Sequence, residues 1–352
     1  MRIALITTKE TPRAHYFMEC FQAGARQHGD TCVTVSRADD LDILRSVDCG
    51  VQVCMVNYRP GGDPIGEFRR RVWTLLGNLG KRRLVFDTGF VKNQYDYAAR
   101  QLAGTAPKTF SMADPSTYAI ADGEIYYELA FDGIKGLGDH CCTGSEDSGR
   151  WRTLGCKLQP WRANGKYILL LTQPLHGQSS QDVNIFAWYG ATLTKVKQHA
   201  RLPIMARVHP RVGGGNSRTF ARRLATYQST LRKSLRAGSA VTWLKNSPLR
   251  NDLAGARLAI AYSTNAMVDA VLAGVPVYVG SPACMAWPMR EANISSALAQ
   301  PRRPERDAWV NALAYSQYNC AEMRAGTAWA HYRPHALKPP TSTIEQRMEK
   351  VK

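Results

Sequence analysis

Residues Leu258 to Val279 read LAIAYSTNAMVDAVLAGVPVYV, and the fold is decided by this stretch. LAIAY is a short apolar run of the kind that forms a buried parallel strand. Ser263 and Thr264 follow where a helix N-cap belongs. Met267, Ala270, Val271 and Gly274 recur at helical spacing, so one face of the predicted helix packs on a sheet. Gly274 suits a left-handed C-terminal residue, Pro276 stops the helix, and VPVYV is a second strand. The unit is therefore β-α-β. It carries hydroxyls at the helix N-terminus and a carboxylate, Asp269, farther along. Free N–H groups and partial positive charge at a helix start suit a phosphate. An ordinary capped crossover accounts for the same residues.

Outward from this unit, the chain alternates strands and helices. At 352 residues and 44% apolar composition it is long enough for two cores. RIALITT (2–8), TCVTVS (31–36), GVQVCMV (50–56) and RLVFDTGF (83–90) read as strands. Helices are expected over 15–28, 39–46 and 67–79 between them. KYILLLTQ (166–173) opens a second series. It continues through a helix over 182–199, LPIMARVHP (202–210), a basic helix over 218–236, SAVTWLK and a short helix over 248–254. Short links between alternating elements imply doubly wound parallel sheets. Residues 104–162 show no sustained period and read as the tail of the first domain and the linker, with 133–151 as exposed loop. The run 305–323 reads as one long helix, and the tail from Pro334 as poorly ordered. The expected division is 1–160, 161–304, a helical segment 305–333 and a tail 334–352.

Nine scattered cysteines with no Cys-x-x-Cys pair indicate neither a disulfide framework nor a zinc site. No metal ligand set is expected. No apolar run reaches the length of a membrane span, and MRIALITTKE is too short in its apolar part for a signal peptide, so a cytoplasmic protein is expected. Lys and Arg number 46 against 28 Asp and Glu, a formal charge of +18. That excess, mostly arginine, favours a polyanionic partner, most simply nucleic acid. No Walker-type loop and no G-x-S-x-G is present, which argues against an NTPase and a serine hydrolase.

Three loops in the second half fall at the carboxyl ends of successive predicted strands, where open α/β sheets bind ligands. One runs 172–182 and holds Gly177, Gln178 and Ser179. Another offers Arg207 and His209, and the third offers Ser263, Thr264 and Asn265. Together they supply what a pyrophosphate needs, and Asp269 could accept from ribose hydroxyls. Trp243, on the SAVTWLK strand, completes the donor-binding candidates. In the first half, Asp87 ends a predicted strand, and Gly89 beside it would let a substrate approach. His15 faces the same edge and is the rival base.

YSTNAMVDAVLAGVPVYV resembles the donor-binding helix of GT-B glycosyltransferases, and ARVHP resembles an element of the capsule-polysaccharide Kdo transferase-like group. AWVNALAYSQYNCAEMRAGTAWAH, with SPACMAWP at 281–288, resembles tailed-phage glycosyltransferases acting on 5-hydroxymethylpyrimidines in DNA. Asp269 stands where such enzymes often carry Glu, and Asp87 lies in DTG where related groups carry an E/D-x-G variant. The resemblance implies a GT-B fold, two Rossmann-like domains facing a central cleft. It implies transfer from a nucleotide diphosphate sugar, UDP-glucose-like, to the hydroxymethyl group of a modified base in double-stranded phage DNA, protecting that DNA from restriction. Arg13, Arg59, Arg69, Arg70, Lys81 and Lys92 are then the expected DNA contacts, with the base flipped from the stack. The alternatives are a transferase for cell-surface polysaccharide and a non-catalytic DNA-binding protein.

Overall fold

A computed structural model describes residues 1–8, 12–36, 38–53, 64–107, 110–111, 114–173, 183–209, 225–231, 233, 241–244 and 248–339. The chain divides into two compact units, one made of Met1–Gly155 with Asp307–Lys352 and the other of Cys156–Arg306.

The first unit is built on strands β1 (Arg2–Ile6), β2 (Thr31–Val35), β3 (Cys49–Val53), β4 (Arg82–Thr88), β5 (Tyr126–Phe131) and, by chain return, β11 (Gln317–Asn319), the numbering running along the whole chain. Their order is β11-β5-β4-β3-β1-β2. β1 to β4 are parallel, and β5 runs antiparallel to both of its neighbours. Helices cover both faces, as a doubly wound sheet requires. Phe17 and Phe21 of helix Pro12–Gln27 pack with Phe86, Leu129 and Trp329 on one side. Val72 and Leu76 of helix Pro64–Asn78 pack with Ala4, Ile6 and Val35 on the other.

Two sequence expectations fail here. Residues 104–162 hold a strand that the absence of a period hid: β5 is buried along its whole length and sits inside the sheet of the first unit. The expected helix over 305–323 is broken into helix Asp307–Tyr315, β11, and helix Cys320–Arg324. Pairing of Gln317–Asn319 with β5 overrides the continuous helical period. The chain can re-enter a helix at once because Asn319 and Glu322 form a capping box. The segment from Asp307 thus belongs to the first unit, whereas the sequence reading had set 305–333 apart. Asp30 fixes it there. Its carboxylate accepts from Trp329 Nε1 at 2.6 Å and Arg333 Nε at 2.9 Å, and from the Met1 amino group at 2.6 Å. Of the tail expected to be poorly ordered, 334–339 are described: Ala336 is buried and His335 half-buried, and the other four are exposed; residues 340–352 lie outside the described residues.

The second unit holds β6 (Tyr167–Leu171), β7 (Ile204–Arg207), β8 (Val241–Trp243), β9 (Ala256–Ala261) and β10 (Val277–Val279). The order is β10-β9-β6-β7-β8, all parallel. The β-α-β unit read from the sequence appears as β9, helix Ala266–Leu272 and β10. Gly274 has φ +71°, and a Cβ there would lie 2.0 Å from Pro160 O, so glycine is required twice over. Helix Ile185–His199 buries Tyr189, Leu193 and Val196 among Ile168, Leu170 and Ile260. The expected basic helix over 218–236 is described only at 225–231 and 233, which are helical.

Candidate functional site

The strand order of the second unit has one consequence for chemistry. The chain lays β7 and β8 on one side of β6, then crosses to lay β9 and β10 on the other. A crevice opens at such a switch point, outside the carboxyl ends of the strands. The residues there are joined to one another. Thr172 donates its N–H and its hydroxyl to Arg207 O, at 3.0 and 3.2 Å, and its Oγ1 accepts from the His209 N–H at 3.3 Å. Gln173 Oε1 accepts from Ser263 N–H and Oγ, at 2.9 and 3.2 Å. The Gln173 backbone is held in turn by Tyr189 Oη and Tyr227 Oη. The ends of β6, β7 and β9 therefore form one hydrogen-bonded surface.

Several expected donor residues take different roles. Arg207 Nη1 pairs with Asp252 Oδ2 at 2.5 Å, with both side chains largely buried, so one arm of its fork is already spent on a carboxylate. Ser263 is buried, and its hydroxyl is committed to Gln173. Neither Ser263 nor Thr264 is the helix cap. Asn265 takes that position without a side-chain cap bond, and Thr264 closes the turn before it, Oγ1 accepting from Ala266 N–H at 3.4 Å. Asn265 Oδ1 is buried with no hydrogen-bond partner among the described residues. Asp269 is half-buried in the first turn of that helix. Trp243 lies opposite Ala206 on the edge strand, away from Ser263 and Thr264, and its buried Nε1 has no partner among the described residues. Gly177, Gln178 and Ser179 lie outside the described residues.

In the first unit, Asp87 stands at the carboxyl end of β4, half-buried. Its Oδ1 accepts from the Thr88 N–H at 2.7 Å, and Oδ2 accepts no hydrogen bond from the described residues. His15 Nε2 lies 3.0 Å from Thr8 O, just past β1. Thr88 Oγ1 accepts from Gln94 Nε2 at 3.1 Å, and Gln94 Oε1 accepts from Arg13 Nη2 at 2.9 Å. Arg13 also lies over the Phe17 and Tyr127 rings. Gly89 does not open space for a substrate, as the sequence suggested. A Cβ there would meet Tyr126 O at 2.4 Å, so its missing side chain serves close packing on β5. Across β5 and β11, Asp87 is in register with Glu128, and Glu128 with Gln317. Sequence reasoning missed Glu128, Gln317, Gln94 and Gln173. The signal for Glu128 was a single charge inside the otherwise aromatic and apolar run YYELAF, since charged residues are almost never fully buried unless paired.

The expected DNA contacts separate likewise. Lys81 Nζ donates to Leu44 O, Arg45 O and Val47 O at 2.9, 2.6 and 2.5 Å and precedes β4, at the opposite end of that strand from Asp87; it closes a loop instead of facing a ligand. Arg13 is held as described above. Arg70 pairs with Glu67 on the surface of its own helix. Lys92 is exposed, with φ 51°, in the turn after β4, and Arg69 is half-buried on helix Pro64–Asn78. Arg59 lies outside the described residues.

Among the described residues, no group of three or more His, Cys, Asp or Glu could hold a metal ion, and no helix is long and apolar enough to cross a membrane. No protein-family model matches the chain, and a search of curated proteins finds no match. Among solved structures, the chain is similar to the β-Kdo 2,4-transferase KpsC of Thermosulfurimonas dismutans, at 11% identity over 91% of this chain and 92% of that one, TM-score 0.49. It is similar to the β-Kdo 2,7-transferase KpsC of the same organism, at 12% identity over 94% and 99%, TM-score 0.46. A UDP-GlcNAc 2-epimerase of Methanocaldococcus jannaschii aligns at 8% identity over 94% and 99%, TM-score 0.33. Likeness at this level carries no argument about activity.

Proposed function

We propose that the chain is a glycosyltransferase of the GT-B class, using a nucleotide diphosphate sugar, UDP-linked, as donor. The observation that carries this reading is the switch-point crevice of the second unit, where Thr172, Gln173, His209, Ser263 and Thr264 meet at the ends of adjacent parallel strands. Backbone and hydroxyl groups in such a crevice suit a diphosphate. Asp87 of the first unit is the proposed base. In the transfer, the bond between the sugar's anomeric carbon and the diphosphate oxygen breaks. The acceptor oxygen bonds to that carbon, its proton passes to Asp87, and the nucleoside diphosphate leaves. That displacement inverts the anomeric centre.

For the acceptor, the formal charge of +18 supports duplex DNA bearing hydroxymethylated pyrimidines. A saccharide acceptor is the second reading, and a specific observation favours it: the donors of Arg13 and Lys81 are engaged by neutral oxygens of the chain, and Arg70 is paired with Glu67. Titration with DNA at increasing salt tests between them. The DNA reading expects log K to fall with log salt by about 0.9 for each neutralised phosphate. A flat response would assign the acceptor to the saccharide class.

A further inference from the structure

Asp87, Glu128 and Gln317 occupy directly opposed positions on β4, β5 and β11, and their side chains therefore share one face of the sheet. Glu128 and Gln317 are both fully buried. Gln317 Oε1 accepts from the N–H groups of Phe90 and Val91, at 2.8 and 3.1 Å. Those two amides belong to the turn that leaves β4 immediately after Asp87, Thr88 and Gly89. Because the carbonyl oxygen must face two donors, the amide nitrogen must turn the other way, and Gln317 Nε2 has no partner among the described residues. Glu128 Oε1 is engaged, accepting from the Lys135 N–H and lying 3.0 Å from His140 Nε2, while its Oε2 also has no partner among the described residues.

An apolar row would pack this face at lower cost. A buried polar atom left unpaired loses its hydration without replacement. We infer that Gln317 is the positioning residue for Asp87, clamping the turn that carries the base from a strand contributed by the returning C-terminal segment. Glu128 stands between the two. Burial pushes its carboxyl up from the ordinary glutamate range, against the hydrogen bond from His140, which lowers it. The strand β11 is then part of the acceptor-side machinery and not an appendage to it. This inference rests on the reading of Asp87 as the base.

The test compares full-length Gln317→Met, which removes the acceptor oxygen, with Gln317→Glu, which keeps it, and with Asp87→Asn. Turnover of UDP-glucose with the accepted acceptor is followed together with amide hydrogen exchange at Phe90 and Val91. In Gln317→Met, kcat should fall about tenfold or more, since small misplacements of reacting groups are costly. The KM for the nucleotide sugar should stay within about twofold, because the proposed donor residues belong to the second unit. Exchange at both amides should accelerate. Gln317→Glu should recover kcat to within about threefold of wild type and restore protection. Unchanged kcat in Gln317→Met, or a Gln317→Glu protein as impaired as Gln317→Met, would overturn the inference. So would a folded Gln317→Met protein in which the Phe90 and Val91 amides exchange as slowly as in wild type. Full turnover in Asp87→Asn would instead remove Asp87 as the base. An inactive Asp87→Asn beside a fully active Gln317→Met would remove Gln317 alone.

Discussion

Ser263 gives Gln173 Oε1 two hydrogen bonds, one from its backbone N–H at 2.9 Å and one from its hydroxyl at 3.2 Å. This contact joins β9 to β6 across the switch point. Gln173→Leu has similar volume but removes the oxygen that both buried donors face. It should lower the stability of the second unit by about 2 kcal/mol or more and weaken UDP binding. Gln173→Glu, which keeps an acceptor, should lose less. Denaturant midpoints measure the first effect and calorimetric titration the second; equal midpoints for wild type and Gln173→Leu would refute the role.

His209 follows β7, and Thr264 follows Ser263 after β9, at the same switch point. His209→Ala and Thr264→Val should each weaken UDP affinity by about 1–3 kcal/mol while the fold is retained. Titration with UDP reads this directly. Unchanged affinity in both variants would move the donor site elsewhere.

Asp87→Asn preserves shape and the bond from the Thr88 N–H but removes the base. Sugar transfer should vanish while UDP affinity stays near wild type. His15, tied to Thr8 O, should tolerate alanine with smaller loss. The opposite pattern, an active Asp87→Asn and an inactive His15→Ala, would hand the role to His15.

Asp30 gives the first unit a definite acid response. Burial by itself would raise its carboxyl, but hydrogen bonds from Arg333, the amino terminus and Trp329 outweigh it and hold the group at about 2, against an ordinary 3.8. A depressed carboxyl stabilises the folded state above its unfolded value, and that stability is lost as pH falls from about 4 to about 2. The contribution at neutral pH is on the order of 2 kcal/mol. Asp30→Asn should therefore be less stable than wild type at pH 7, and the gap should close as pH falls through that window. A gap independent of pH would show that shape alone, not charge, matters at this position.

The strands that carry the two sheets were legible where an apolar run was bounded by turn residues, as in Leu258–Val279 and Lys166–Gln173. β5 was not, because it is buried on both faces and carries Glu128 in its middle, so neither alternation nor uniform apolarity marks it. β11 was hidden inside a helical period that only pairing with β5 interrupts, although Asn319 and Glu322 spelled a capping box that marks a fresh helix start. For the site, the sequence located the loops at strand ends but misjudged what individual side chains do there. Arg207 and Lys81 look like phosphate ligands by type, yet Asp252 and three loop carbonyls claim them through contacts between residues distant in sequence. Gln173 and Gln317 have no motif at all; their roles follow from the strands they face.

The central claim is transfer of a sugar from a nucleotide diphosphate sugar, and one measurement addresses it most directly. The purified chain is incubated with UDP-glucose and, in parallel, hydroxymethylated DNA, unmodified DNA or an oligosaccharide acceptor. Released UDP is quantified, the products are weighed by mass spectrometry, and their anomeric configuration is read by NMR. The account predicts acceptor-dependent release of UDP and a product heavier by one sugar residue, with inverted anomeric configuration, abolished by Asp87→Asn. The absence of UDP binding, UDP release and product with every acceptor and with alternative nucleotide sugars would contradict it.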